Sequence, residues 1–526
     1  MDSIRIQGLK SLRDTGTIEL KPLTILLGEN SAGKSTFLRT FPLIKQSLAS
    51  STRGSILWFG SYVDFGDYEH ALSKYASDKT IKFGFGFDLS GYMKPTHAFS
   101  HDFLEKSLIG KYKLNFSLKK DKKDNEKVTE LDFKYFDNQS SLNFDIEKNK
   151  IDQLIINGHD FSEYFREAEL DAFSGRSNLI PMLRFKKSGL DTRITYSFRV
   201  PYLFINEAIY HAISKKITPY TRKGMNTSEI LRQVVKCDVS SVDSFYKELV
   251  SSSTSVTWKR KIINIKNDSH QLSELMSLVI ALHIPSLLFV FNNHFYEIFE
   301  STNYIAPLRA NAERYYRTQN LSVDQVDHQG SNLPMFIDNL SDNQKKNFQN
   351  WMIENFGFSL EARSSTGHLS LYLHYKDSDT DYNVTDMGFG FSQILPIITQ
   401  LWFTTYSKPK SRNRFNNDVK SKMLIIEQPE LHLHPRIQAK LINVFIRAIE
   451  LCENDGINLK IMIETHSETI INYIGRSISR NKINKNDVSI IVFDKQKPDE
   501  ATEVKTSNFD DDGCLLDWPW GFFDTE

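Results

Sequence analysis

Short apolar runs near both ends of the chain predict β-strands. Residues 4–9 alternate between apolar and polar side chains, and Leu23–Leu27 is apolar apart from one threonine. Across 421–493, short apolar runs alternate with longer stretches of helical periodicity. Strands that alternate with helices in this way are typical of a parallel, doubly wound sheet. The pattern therefore predicts an α/β fold.

The middle of the chain has a different pattern. From 81 to about 150, alternating apolar positions predict further strands, and 160–300 is mainly helical in character. Within this helical part, Leu275–Phe291 has no acidic or basic residue apart from one histidine and approaches the length that spans a membrane. Pro285 and several polar residues interrupt the run. A pair of buried helices broken at Pro285 is therefore favoured over a membrane span.

Composition narrows the class of protein. The chain has 526 residues, which exceeds one ordinary core, and 40% of them are hydrophobic, as in globular proteins. Lysine plus arginine and aspartate plus glutamate number 65 each, so any nucleic-acid surface must be a local patch. The N-terminus has no apolar run after a basic start, and we expect a cytoplasmic protein. Three distant cysteines indicate neither a disulfide framework nor a zinc site: Cys237, Cys452 and Cys514.

The clearest chemical signal directly follows Leu23–Leu27. From Gly28 to Thr36 the chain has the spacing Gly-x-x-x-x-Gly-Lys-Ser-Thr, and a helix is predicted from Thr36, with Pro42 as a kink or an early end. This is the spacing of a P-loop, whose backbone N–H groups bind phosphate oxygens. Lys34 would reach the β- and γ-phosphates, and the Ser35 hydroxyl would ligate Mg²⁺. The residues predicted to bind a nucleoside triphosphate are Asn30, Ser31, Ala32, Gly33, Lys34, Ser35 and Thr36.

Further motifs place polar side chains beside glycines or at the ends of apolar runs. In Asp386–Pro396, glycines permit a tight approach, and Ser392-Gln393 would begin a helix that points its N–H groups outward. Met423–Glu427 predicts a strand that delivers a metal-binding carboxylate to its carboxyl end. Another short strand ends near His466.

Two arginines lie close to a proline-fixed turn. Arg309 and Arg314 follow the strand predicted at Tyr304-Ile305, with Pro307 between. Such side chains are suited to meet phosphates or carboxylates of a ligand, and equally to form structural ion pairs. The sequence leaves both interpretations open.

Together these motifs resemble the ABC-type ATPases, in particular the branch that contains the OLD, RecF and SMC-like proteins. The resemblance covers roughly 1–90 and 300–526. It implies an ATPase head, with a mixed or parallel sheet and flanking helices, that binds ATP and Mg²⁺. The implied segments are 1–100, the N-terminal part of the head with the P-loop; 101–160, β-rich and lysine-rich; 161–300, a mainly helical insertion; and 301–526, the C-terminal part of the head.

The resemblance also implies roles for individual residues. Glu427, at the Walker B position, would hold Mg²⁺ together with Ser35. His466 would be the switch histidine that contacts the γ-phosphate. Gly390, Ser392 and Gln393 match the signature motif of this family. In the family, this motif completes the ATP site of a second subunit, in a homodimer of heads or a higher oligomer.

The chain departs from this family at Gln428, where a glutamate usually polarises the attacking water. A glutamine amide positions water but is no general base. Glu430 is the nearest substitute, so we expect slow hydrolysis, with ATP acting mainly as a clamp. The residues predicted to act in catalysis are Lys34, Glu427, Gln428, Glu430 and His466.

Two stretches carry a closer similarity. Glu427–Pro435 reads Glu-Gln-Pro-Glu-Leu-His-Leu-His-Pro, and Asp517–Asp524 reads Asp-Trp-Pro-x-Gly-Phe-Phe-Asp. Both are similar to the ATPase subunit of Septu-type antiviral systems, including those linked to retrons. That similarity implies an HNH nuclease as a separate chain and, in the retron-linked case, a reverse transcriptase with its DNA. The aromatic tail is equally suited to pack against a sheet edge, and the two roles are compatible.

Three hypotheses for the function follow. The first is an ATP-binding sensor and scaffold that holds a nuclease inactive until a phage or nucleic-acid cue arrives. The second is a DNA-repair ATPase clamp, although 160–300 shows no sustained heptads for a coiled coil. The third is a self-contained OLD-like nuclease, for which the candidate acids are Asp494 and Asp510–Asp512.

Overall fold

The computed structural model describes residues 1–90, 108–171, 178–185, 206–318, 325–407, 421–495 and 500–516, apart from 77, 124, 223 and 267, and also residues 323 and 497. The tail motif Asp517–Asp524 lies outside the described residues. The strands are β1 (Ser3–Leu9), β2 (Leu12–Asp14), β3 (Ile18–Glu19), β4 (Leu23–Gly28), β5 (Ile81–Asp88), β6 (Lys111–Lys120), β7 (Glu126–Tyr135), β8 (Asn138–Asp145), β9 (Lys150–Ile156), β10 (His159–Asp160), β11 (Glu169–Asp171), β12 (Met182–Arg184), β13 (Thr302–Ile305), β14 (Tyr316–Arg317), β15 (Phe358–Ser365), β16 (His368–Tyr375), β17 (Asp381–Asn383), β18 (Ser421–Glu427), β19 (Asn458–Glu464), β20 (Val488–Asp494) and β21 (Glu503–Ser507).

Helices connect these strands and cover the sheets. The α-helices are α1 (Lys34–Ala49), α2 (Tyr68–Ala71), α3 (Glu207–Ile217), α4 (Thr227–Val234), α5 (Val242–Ser251), α6 (Val256–Lys266), α7 (Ser269–Glu300), α8 (Leu333–Asp338), α9 (Asp342–Phe356), α10 (Phe389–Tyr406), α11 (Pro435–Asn454) and α12 (Glu468–Ser479). Short 3₁₀ turns lie at Ser162–Phe165, Thr218–Tyr220, Val384–Met387 and Lys485–Asp487.

The central sheet positions the candidate site. Its described strands lie in the order β13-β18-β19-β4-β20-β21, and all neighbours are parallel except β21, which pairs antiparallel with β20. Strands β4, β18 and β19 are buried almost throughout, because helices cover both faces and the sequence supplies continuous apolar runs. The carboxyl ends of these strands therefore meet at one edge, next to the P-loop. The predicted parallel sheet is confirmed.

A second, antiparallel sheet extends the N-terminal part of the chain. Its path is β10-β9-β8-β7-β6-β5-β1-β2, with β3 paired to β1. Alternating phenylalanines of β5 lie against helix α7: the ring centroids of Phe85 and Phe295 are 5.2 Å apart, and those of Phe87 and Phe291 are 5.4 Å apart. Aromatic packing of this kind explains why an apolar helix of this length lies inside the protein.

Helix α7 corrects the prediction made for Leu275–Phe291. It runs unbroken from Ser269 to Glu300, so the expected break at Pro285 is wrong. This helix is long and apolar enough to cross a membrane, yet 89% of its most apolar window is buried within the protein, so the expected burial is confirmed. An interior proline costs a helix about 3 kcal/mol. Burial of large side chains on both sides of Pro285 outweighs that cost.

Two other helix boundaries differ from the predictions. Helix α1 begins at Lys34 and continues through Pro42 to Ala49, so it does not end early. Helix α10 begins at Phe389, before the predicted start at Ser392, because Gly388 caps it with a φ of 84°. In spite of these shifts, the predicted fold class is confirmed: an α/β ATPase head with a large, mainly helical insertion.

Candidate nucleotide-binding site

The P-loop follows strand β4, as the sequence predicts. Gly28 has a φ of +144°, and a Cβ there would lie 2.1 Å from the carbonyl oxygen of Phe493 on the neighbouring strand. Gly33, with a φ of +99°, is the N-cap of α1. Both positions require glycine, one for a close approach and one for a left-handed conformation. Between them, Asn30 and Ser31 are exposed at the tip of the loop.

Lys34 points into this loop. Its side chain is 3% exposed, and its Nζ donates to the carbonyl oxygens of Gly28 at 2.8 Å and Glu29 at 2.7 Å. Burial lowers the pKa of Lys34, and nearby carboxylates, Glu464 first, oppose that shift. A cation is therefore held where the backbone of the loop is predicted to bind phosphates.

Ser35 faces an acid that the sequence analysis did not assign. Its Oγ donates to the Oε1 and Oε2 atoms of Glu464, at 2.9 and 2.8 Å. Glu464 ends β19 and is buried, and burial, reinforced by the charge of Glu427, raises its pKa to about 7. An acid at the end of an apolar strand was the signal used for Glu427. The same signal is present at Glu464, two residues before His466.

Glu427 ends β18 and is bound by two partners. Arg39 of α1 donates from Nε and Nη2 to its two carboxylate oxygens, each at 2.7 Å, and the Tyr304 hydroxyl donates at 2.7 Å. The hydrogen bonds and charge of Glu427 raise the pKa of Arg39, and burial, then the charge of Glu427, raise the pKa of Tyr304. Neither partner was predicted. Glu427, the predicted Walker B acid, is thus a buried carboxylate held in an ion pair with a partly exposed arginine.

Gln428 follows directly, in a strained backbone conformation. Its φ is +43°, and its backbone N–H donates to the Glu464 carbonyl at 2.8 Å. The Nη2 of Arg309 donates to the Glu427 carbonyl at 2.6 Å and the Gln428 carbonyl at 3.3 Å. Burial lowers the pKa of Arg309 to about 10. A left-handed glutamine persists only where its surroundings hold it, and Arg309 contributes to that.

Glu430 and His466 are brought together by the loops after β18 and β19. The backbone N–H of His466 donates to Oε1 of Glu430 at 2.8 Å. Burial raises the pKa of Glu430, and the hydrogen bond from the His466 N–H opposes that rise. Burial, and then Lys34, lower the pKa of His466. The structure therefore gathers Lys34, Glu430 and His466 at one edge of the sheet.

The signature residues lie against the same loops. A Cβ at Gly390 would lie 2.9 Å from the carbonyl oxygen of His432. Ser392 and Gln393 are buried: Ser392 Oγ accepts from the Ala312 N–H at 3.2 Å, and Gln393 Nε2 donates to the Arg309 carbonyl at 3.3 Å. These contacts connect the start of α10 to the Arg309 loop of the same chain. Their part in the ATP site of a second subunit stays a prediction.

The two arginines left open by the sequence have different surroundings. Arg314 forms an ion pair with Asp386 at the surface. Arg309 is buried beside the end of β18, and among the described residues its Nε and Nη1 have no hydrogen-bond partner. The interpretation as a structural ion pair therefore applies to Arg314, whereas Arg309 belongs to the candidate site.

Comparison with known proteins decides the family. Residues 1–471 match AAA_15, the AAA ATPase domain family. The chain belongs to this family. It is therefore a nucleotide-binding P-loop ATPase, as the motifs predict.

Solved structures give a looser likeness. A crystal structure of an SMC head bound to the C-winged helix domain of ScpA matches with 9% identity and a TM-score of 0.34, over 96% of each chain. An SMC head domain from Thermotoga maritima matches with 8% identity and a TM-score of 0.32, over 96% of this chain and 97% of that one. Superpositions this loose transfer no geometry from one protein to the other. No curated relative matches the chain.

The residues of this ATPase fit a magnesium ion. Mg²⁺ prefers oxygen ligands and is usually held by one or two carboxylates together with phosphates. Ser35 Oγ and the carboxylate of Glu464 supply such oxygens beside the P-loop, with Glu427 next to them. Burial of Glu464, and then the charge of Glu427, raise the pKa of Glu464 to about 7, and a divalent cation would supply the opposite charge.

Proposed function

We propose that the protein is an ABC-type ATPase subunit that binds ATP, hydrolyses it slowly, and uses its nucleotide state to regulate a separate HNH nuclease in a bacterial antiviral complex. The observation that carries the nucleotide part is the placement of Lys34 and Ser35. Both lie at the carboxyl edge of the parallel sheet, and both face Glu464. The antiviral part is supported by the motif Glu427–Pro435 and the tail Asp517–Asp524.

The P-loop and the carboxyl ends of the neighbouring strands have separate roles in binding ATP and Mg²⁺. The N–H groups of 30–36 and the ammonium of Lys34 bind the phosphates, because they combine backbone donors at the start of a helix with positive charge. Ser35 holds Mg²⁺ with an acid at the sheet edge, where Glu427 and Glu464 are neighbours. The ion neutralises charge on the phosphates when it is bound. His466, beside Glu430, contacts the γ-phosphate.

Slow turnover follows from the residue after the Walker B acid. The amide of Gln428 orients a water molecule but does not accept its proton. Glu430 is the nearby carboxylate, and the raised pKa that burial gives it makes it a stronger base once ionised. Arg309 donates a hydrogen bond to the Gln428 carbonyl and so helps to fix the backbone position from which the Gln428 side chain extends.

Gln428→Glu should raise the rate of ATP hydrolysis. General bases contribute about 10²- to 10⁴-fold to a rate, and we expect an increase of at least about tenfold in single-turnover phosphate release. The control is Glu430→Gln, which removes the nearby base. Its rate of hydrolysis should be lower than that of the unmodified chain. An unchanged rate in Gln428→Glu would show that the glutamine is not what slows turnover.

We also propose that two heads pair through their signature motifs, as a homodimer or a higher oligomer. Gly390, Ser392 and Gln393 would then complete the ATP site of the partner. Phe389, at the start of α10, and Leu308, next to Arg309, are large apolar side chains exposed on this side of the head. Exposed apolar groups of this kind are suited to a subunit interface.

Purification with the neighbouring genes tests the regulatory part. We expect a tagged copy, expressed from its native gene cluster in the cytoplasm, to carry an HNH protein with it. In a retron-linked system, a reverse transcriptase and its DNA would accompany them. Mass spectrometry and extraction of nucleic acid identify each partner. A protein recovered alone, or only with fragments of genomic DNA, would contradict nuclease regulation and favour a DNA-repair clamp.

A further inference from the structure

We propose that Glu464, rather than the Walker B acid Glu427, is the carboxylate that holds the nucleotide's Mg²⁺ together with Ser35. This inference rests on the proposed ATP site and names the metal ligand within it. It changes the assignment that the motif alone gives, because that assignment considers the end of β18 and not the end of β19.

The order of the strands is the first reason. Strand β19 lies between β18 and the P-loop strand β4, and its last residue pairs in register with Glu427 on one side and Leu26 on the other. Neighbouring strands are about 4.8 Å apart, so Glu427 lies one strand farther from the P-loop than Glu464 does. The carboxylate of Glu464 is the one that reaches the Ser35 hydroxyl, through both of its oxygens.

The partners of Glu427 are the second reason. Arg39 occupies both carboxylate oxygens in a bidentate pair, and Tyr304 adds a third donor. The guanidinium neutralises the charge that would attract a cation. Binding Mg²⁺ through Glu427 would require the release of Arg39 from a carboxylate that is itself 2% exposed.

The surroundings of Glu464 are the third reason. Its nearest cation is Lys34, whose Nζ is 4.0 Å from Oε1, beyond hydrogen-bond distance. That ammonium is the group expected to turn toward the phosphates. Among the described residues, the carboxylate of Glu464 therefore has no cation within hydrogen-bond distance, whereas that of Glu427 is paired with Arg39.

Metal-dependent nucleotide affinity tests the assignment without relying on turnover. We would measure the affinity of the full chain for a non-hydrolysable ATP analogue in Mg²⁺ and in EDTA, and call the ratio the metal enhancement. Glu464→Gln should still bind the analogue in EDTA, but its metal enhancement should be about tenfold or more below that of the unmodified chain. Even residues that only contact a metal's ligands change metal affinity by about 10- to 100-fold. Glu427→Gln should keep the enhancement. In addition, the electron paramagnetic resonance spectrum of Mn²⁺ bound with the analogue should differ from that of the unmodified chain in Glu464→Gln. In Glu427→Gln the spectrum should be unchanged.

The remaining outcomes separate this inference from the proposed function. Loss of the enhancement in Glu427→Gln, alone or together with Glu464→Gln, would overturn the assignment to Glu464. Absence of analogue binding by the unmodified chain would overturn the ATP site itself. If Glu427→Gln does not fold, the double variant Arg39→Gln/Glu427→Gln removes both charges of the pair, and it should keep the enhancement for the same reason.

Discussion

Lys34→Ala is expected to remove measurable ATP binding. Hydrogen bonds to charged groups contribute about 1.5–3 kcal/mol each, so losing the contacts of one ammonium with two phosphates weakens binding by about 100-fold or more. The structure adds a second cause. The Nζ of Lys34 donates to the carbonyl oxygens of Gly28 and Glu29, so the variant also loses groups that hold the loop closed. Calorimetric titration with ATP and Mg²⁺ measures the effect.

Lys45 supplies a matched control for this variant. It is a second buried lysine of α1, and its Nζ donates to the Thr302 carbonyl at 2.5 Å, away from the P-loop. Lys45→Ala should lower the melting temperature and leave the affinity for ATP within about twofold, because it changes no group at the phosphates. Unchanged ATP affinity in Lys34→Ala would contradict the P-loop assignment.

Arg39→Ala is expected to lower the free energy of unfolding by about 2–3 kcal/mol. Breaking a fully buried ion pair costs about 3–5 kcal/mol, because an unpaired charge remains inside. We expect less here, since the Arg39 side chain is 39% exposed and solvent screens part of the pair. Glu427 would keep only the Tyr304 hydroxyl as a side-chain donor among the described residues. Urea unfolding of the metal-free protein gives the value.

The pair of Arg5 and Asp14 is the control for this prediction. Its geometry is also bidentate, with distances of 2.9 and 2.5 Å, but both side chains are about one-third or more exposed. Arg5→Ala should therefore cost no more than about 1 kcal/mol. Equal losses in the two variants would show that burial of Glu427 adds nothing to the pair, and would contradict the electrostatic account of the site.

The parts of the site that the sequence predicts are those that local spacing determines. Gly28, Gly33 and Lys34 act through backbone turns and side chains within one short loop, so their order along the chain is sufficient. Arg39, Tyr304 and Glu464 were missed because their roles depend on which strands are neighbours. Nothing in the sequence places β19 between β18 and β4, and that order alone brings Glu464 to Ser35.

The errors made at the two helix prolines have one physical cause. Pro42 was expected to kink or end its helix and Pro285 to break one, yet both helices continue through their prolines. The cost of a proline is local and can be read from the sequence, whereas the burial that outweighs it comes from distant strands. For α7 those strands include β5, whose phenylalanine rings lie against the part of the helix that follows Pro285.

Helix α7 connects the inserted region to the P-loop helix. Phe299, near its end, packs against Phe41 of α1 with ring centroids 6.4 Å apart, and the Thr302 carbonyl that follows accepts from Lys45 of the same helix. Close-packed interiors transmit displacements between neighbouring elements. A displacement of α7 would therefore reach α1, and with it the predicted phosphate-binding residues at the start of that helix.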